Sequence, residues 1–151
     1  MKKIVLLLFT YFSLHLCYPQ SNQSRHELTK LTIGILQGGG GLIGMDFEHL
    51  ISKNIGLSVG VGIRSYGASF HYHIKPDITS SSLAINYWHQ GWGDSYVQSI
   101  VGPSYVFRLG RKFSGQLGIG GLVDKGPYYE NAYNDIQESD ILLIYSLGMY
   151  F

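Results

Sequence analysis

Cysteine is nearly absent from this chain: Cys17 is the only one in 151 residues. One thiol builds no disulfide framework, and its position near the start leaves the remainder without a thiol nucleophile. Charge is scarce too. Asp, Glu, Lys and Arg make up 14% of the residues, against roughly 25% in ordinary soluble domains. A net charge of +1 lacks the basic surface that a dedicated nucleic-acid binder needs. Only 4 prolines occur, and no low-complexity tract or linker divides the chain, which bounds the answer to one domain. Beyond Gln20 no apolar run approaches the roughly 20 residues of a transmembrane helix.

What is present is apolar side chains, at 45%, and glycine, with 20 residues all lying between Gly34 and Gly148. A basic start, Met1-Lys2-Lys3, leads into an apolar run from Ile4 to Leu16 and then a polar stretch from Gln20 to Arg25. That order predicts a secretory signal peptide over residues 1–20 and a mature domain over 21–151, with cleavage after Cys17 or around Ser21. Leu16 is bulky where a lipid-attachment motif wants a small residue before Cys17.

The mature region repeats one pattern. Apolar residues recur by twos, which marks strands with two unlike faces. The last such strand is the clearest: Ile141, Leu143, Tyr145, Leu147, Met149 and Phe151 share one parity, with Leu142, Ile144, Ser146, Gly148 and Tyr150 on the other. Further strands are expected over residues 29–37, 42–50, 55–66, 68–74, 82–90, 95–109 and 112–124. Pro103 predicts a bulge inside its strand. Tight turns are expected at Ser52–Asn54, Lys75–Asp77 and Gly110–Arg111. On the opposite side, connections are expected at Gly38–Gly41, near Gly67, at Gly91–Asp94 and at Lys125–Ser139. Eight strands of about ten residues, too little charge for a solvated surface, and an apolar parity opposed by Gly, Ser and charge predict an eight-stranded antiparallel up-and-down barrel. Its apolar face would meet lipid, and strands of that length cross a bilayer.

In this the chain resembles the OmpA/OmpX-type small barrels, short outer-membrane β-barrel proteins of Gram-negative bacteria. The resemblance rests on the N-terminal signal, the repeated alternation, Gly44-Met-Asp-Phe-Glu48 before the Ser52-Lys-Asn-Ile-Gly56 turn, and the terminal Tyr145-Ser-Leu-Gly-Met-Tyr-Phe151. It implies an integral, porin-like outer-membrane location and a structural or interaction role in the envelope, without catalysis or cofactor. It also implies two partners: outer-membrane lipid, and the barrel-assembly machinery reading Tyr145, Leu147, Met149 and Phe151. The external partner is left open.

Lys30, Asp46, Glu48, Arg64, Arg108 and Gln116 share the inward parity of their strands, and an eight-stranded lumen is just wide enough for side chains to fill. They are therefore expected to form a paired polar network that fills the lumen and leaves no wide channel. His71 and His73, with His89 beyond, carry a weak two-ligand metal spacing without an obvious third ligand, so no metal is expected. Tyr66, Tyr72, Trp88, Trp92, Tyr96, Tyr105, Phe113, Tyr145 and Phe151 are expected as interfacial anchors. Tyr128, Tyr129 and Tyr133 offer either a partner-contact loop or a lid over the mouth. Two alternatives remain. Phe47-Glu-His-Leu-Ile-Ser-Lys-Asn-Ile-Gly56 loosely resembles the His-x-Ser-Asn element of lipid A deacylases, although two residues separate His49 from Ser52 and Lys53 precedes Asn54. A secreted lipocalin-like barrel would need its apolar residues inside.

Overall fold

A computed structural model describes residues 27–110, 112–133 and 141–151. The expected signal segment, Arg111 and residues 134–140 lie outside them. Eight antiparallel strands close into one barrel in simple sequence order. They are β1 (Thr29–Ile35), β2 (Ile43–Leu50), β3 (Ile55–Gly62), β4 (Ser65–His73), β5 (Ser82–Gln90), β6 (Gln98–Leu109), β7 (Phe113–Lys125) and β8 (Ile141–Tyr150).

The barrel is inside out relative to a soluble one. Ile33, Val59, Phe70, Ile85, Tyr105, Leu117 and Leu143 point away from the lumen and are 41–61% exposed. Buried positions hold Lys30, Thr32, Glu48, Ser58, Ser65, His71, His73, Asn86, Ser104 and Ser146. One apolar cluster interrupts this polar filling, where Trp88, Ile100 and Ile144 pack together with Leu142 beside them. Trp88 is thus an interior residue, only 7% exposed, and not an interfacial anchor. Its inward parity on β5 overrides its aromatic character.

Closure depends on a short seam. β1 and β8 pair only over Thr32↔Tyr150 to Ile35↔Leu147, extended by reciprocal backbone bonds between Leu31 and Phe151. Gly34 and Gly148 face each other there. A Cβ on Gly34 would stand 2.0 Å from the Leu147 carbonyl oxygen, so the strands approach this closely only because the side chain is a hydrogen.

Three connections and the expected bulge differ from expectation. Residues Gly38–Gly41 are no outward turn. The chain turns left-handed at Leu36 (φ 57°) and again at Gly38, Gly39 and Gly40. Segment Gln37–Gly40 drops into the lumen mouth, where Gln37, Gly38 and Gly39 are buried. Its backbone lies against the Val61 and Tyr66 carbonyls, which a Cβ would strike. The β3–β4 hairpin turns at Ile63-Arg64 and not near Gly67, because Arg64 adopts φ 59°. Gly67 instead sits within β4 opposite Gly60, leaving room for Gly39 behind it. The expected Lys75–Asp77 turn is a longer loop, residues 74–81. Asp77 Oδ1 caps it by accepting from the Thr79 amide and hydroxyl, and Ile78 is fully buried. The register shift falls at Ser99/Ile100, and the ladder passes Pro103 in unchanged register.

The seam yields a test. Gly34→Val forces a branched side chain into backbone and is expected to lower unfolding stability by about 1–3 kcal/mol or more. Urea titration followed by tryptophan fluorescence measures this, and an unchanged midpoint would mean the β1–β8 contact is not as close as described.

Candidate functional site

The candidate site is the lumen, which is built in layers. Nearest the chain-terminus end, Glu48 of β2 accepts from Arg108 of β6 and lies 2.6 Å from His73 Nε2 of β4. The other ring nitrogen of His73 is 3.2 Å from the Ser80 carbonyl oxygen, which ties the 74–81 loop to the wall. Tyr150 of β8 sits between two cations. Lys30 Nζ lies 5.6 Å from its ring centroid and the Arg108 guanidinium 5.4 Å, while its hydroxyl donates to the Gly110 carbonyl at 2.9 Å. Lys30 is also paired to Glu27. Among the described residues, Arg108 Nε and Nη1 have no hydrogen-bond partner, and the adjacent π face of Tyr150 offsets part of that loss.

A purely polar belt crosses the middle. Asn86 Nδ2 donates to Ser104 Oγ at 2.8 Å and to the Gly102 carbonyl at 3.0 Å. Its Oδ1 accepts from Gln116 Nε2 at 2.7 Å and from Ser69 Oγ at 3.0 Å. Ser146 Oγ donates to Gln116 Oε1 at 3.2 Å. His71 lies between two hydroxyls, 3.0 Å from Ser58 Oγ and 3.2 Å from Ser82 Oγ. At the far end the Gln37–Gly40 plug is pinned by three strands: Gly38 N–H donates to Asp46 Oδ2 at 3.1 Å, Ser65 Oγ donates to the Gly38 carbonyl at 2.6 Å, and Gln90 Nε2 reaches the Gly40 carbonyl at 3.5 Å.

Lys30, Asp46, Glu48, Arg108 and Gln116 therefore all lie in the lumen, but in three layers and not one cluster. Arg64 does not join them. It occupies the exposed tip of the β3–β4 turn, because the hairpin turns before the strand that was to carry it inward. A cavity of about 30 Å³ remains, bordered by Thr32, Asp46, Glu48, His71, Gln116 and Ser146, with room for about one or two waters. A space that small takes no solute. Among the described residues no group of three or more His, Cys, Asp or Glu is placed to hold a metal ion.

Alternation finds the inward residues, yet it missed Tyr150 and Asn86 as network members and named no partner for His73. Which strand lies across the lumen is not written in a local pattern. On the outer surface an aromatic group was also missed as a unit. His89 stacks between Tyr66 (4.6 Å) and Tyr96 (4.9 Å), and Trp92 lies 6.0 Å from Tyr66. The Tyr96 hydroxyl donates to Asp124 Oδ2 at 2.8 Å, and that bond, with the carboxylate's charge, raises the phenol above its ordinary pKa. His89 Nδ1 is 2.8 Å from Ser99 Oγ, but Ser99 is 3% exposed and Asp124 is engaged by Tyr96.

His49 and Ser52, the pair in the deacylase-like stretch, sit at the chain-terminus end, on the outward face of β2 and in the turn after it. Tyr145, Leu147, Met149 and Phe151 form the outward, 38–63% exposed face of the terminal segment. Of the tyrosine loop, Tyr128 is exposed, whereas Tyr129 is buried with Lys125 over its ring. Tyr129 is therefore not presented to a partner, since the short helix Tyr129–Tyr133 turns it inward. The Tyr133 side chain lies outside the description. Compared with known family models, curated proteins and solved structures, the chain matches none.

The Glu48 buckle gives a direct test. Glu48→Ala strands the buried Arg108 cation and is expected to cost about 3–5 kcal/mol, while adding Arg108→Met should recover most of that loss. Urea unfolding of the single and double variants measures the coupling, and strictly additive losses would contradict the pairing.

Proposed function

We propose that this protein is an integral outer-membrane β-barrel of the OmpA/OmpX type, with a structural or interaction role in the envelope. One observation carries the reading: the closed barrel wears its apolar residues outside and its polar ones inside. Large hydrophobics from all eight strands are exposed, whereas the lumen holds a bonded polar network. In water such a surface would aggregate, since soluble monomers rarely expose apolar patches beyond a few hundred Å². In a bilayer it is the required arrangement, because closed barrels satisfy every strand hydrogen bond without an edge.

The filled lumen favours an envelope or interaction role over transport, the cavity among Asp46, Glu48, His71 and Gln116 being about 30 Å³. The lipid-hydrolase alternative finds its best Ser/His contact at Ser99–His89, whose serine is covered and whose nearest carboxylate is committed to Tyr96. A lipocalin-like barrel requires the opposite distribution of polarity. The test is cell fractionation followed by gel electrophoresis with and without boiling. The expected outcome is recovery with the outer membrane and a band that migrates differently until heated. Recovery in the soluble periplasm with no shift would overturn the membrane reading.

A further inference from the structure

The wall of this barrel is uneven in height. β1, β2 and β3 have 7, 8 and 8 residues, while β6 and β7 have 12 and 13. At about 3.3 Å per residue and a tilt near 40°, the 13-residue β7 stands about 30 Å tall and the 8-residue β2 about 20 Å. The hydrocarbon core is about 30 Å thick, so the β1–β3 side does not reach across it.

Register shows which rim is low. From Ile43 the pairing runs through Ile35 and Leu147 to Gly115. Strand tilt raises the horizontal along that path by about four residues, which puts Ile43 level with Ile119. Ile119 is the midpoint of β7. The first residue of β2 thus stands about 15 Å below the top of β7.

Two features of the low rim say what covers it. Its outward residues are bare aliphatics: Ile35, Leu42, Ile43 and Ile63 are 59–72% exposed. The aromatic ring stack at the upper ends of β4 and β5 has no counterpart there among the described residues. Immediately behind them lies the irregular backbone of the Gln37–Gly40 plug, and next to them the exposed guanidinium of Arg64 at the β3–β4 tip. A guanidinium is not left facing hydrocarbon, whereas the plug is held inside the lumen mouth by Asp46, Ser65 and Gln90. Lipid headgroups and water satisfy Arg64 if they descend to this rim, and the phosphate of a headgroup is the complement of its guanidinium.

We infer that the β1–β3 face thins the bilayer beside it, so that the barrel acts as a wedge whose partner is the lipid surface itself. The inference rests on the outer-membrane reading and goes beyond it by naming one face and its effect on lipid. The low rim draws the outer headgroups inward over Ile43 and Arg64, while the β6–β7 face holds the full thickness.

The experiment compares two positions at one height. Ile43→Cys and Ile119→Cys, each in a Cys17→Ser background, are labelled with an environment-sensitive fluorophore. The proteins are reconstituted in phosphatidylcholine vesicles containing lipids with a nitroxide near the headgroup or near the chain end. The Ile43 probe is expected to be quenched at least about twofold more by the shallow nitroxide than by the deep one, with the order reversed at Ile119. Equal depth at both positions overturns the wedge. So does an Ile43 probe shielded from both nitroxides, which would mean that a second copy of the chain covers the rim. The heat-dependent gel shift of the same samples separates the two claims: no shift sinks the membrane reading itself, whereas a shift with equal depths removes only the wedge.

Discussion

Everything in this molecule follows from closing eight strands on themselves. Closure removes every sheet edge along the seam, but it leaves a lumen only wide enough for side chains. The inward positions must then be small, packed on one another as Trp88, Ile100 and Ile144 are, or polar with partners across the lumen. This explains why β3 and β7 carry Gly56, Gly60, Gly62, Gly118 and Gly120 on their inner faces, and why the few inward charges find each other across the barrel. Glu48 alone joins β2 to β6 through Arg108 and to β4 through His73. Breaking such a pair costs more than the pair contributes, because the survivor remains buried.

The two ends of the lumen are sealed by different chemistry. At the chain-terminus end the 74–81 loop buries Ile78 and fastens Ser80 to His73. At the other end a run of glycine backbone, held by Asp46, Ser65 and Gln90, takes the place of a loop. That choice lowers the wall. β1 leaves the sheet at Ile35 to enter the mouth, and so its pairing with β8 stops at Leu147. The plug, the short seam and the low β1–β3 rim are one structural decision seen from three sides.

Much of the fold could be read from the sequence because its period-two alternation is strong and recurs in strand after strand. β5 was placed at its observed bounds, Ser82–Gln90, and the terminal strand nearly so. The failures share a cause. Gly67 and Gly38–Gly41 carry the same residue type, and local pattern reads both as turns. In the structure one is a strand residue making way for the other. Arg64 was misplaced by the same slip, since moving one hairpin by a few residues took it from lumen to rim. Trp88 shows the opposite bias: its residue type suggested the interface, while its place on β5 turns it into the lumen. Cross-lumen partners such as Tyr150 with Lys30 and Arg108 depend on closure geometry, which no local window contains.

The closed seam is the claim on which the rest stands, and one cross-link tests it most directly. Ile33 and Met149 are directly opposite across β1 and β8 and both point outward. Residues so paired stand about 5.5 Å apart between Cα atoms, within reach of a disulfide. In a Cys17→Ser background, Ile33→Cys with Met149→Cys is expected to cross-link on mild oxidation of the folded protein and to change its migration even after boiling. Ile33→Cys with Ile85→Cys, far apart around the wall, should not. A folded, heat-shifted protein whose first pair fails to cross-link would contradict closure between the first and last strands.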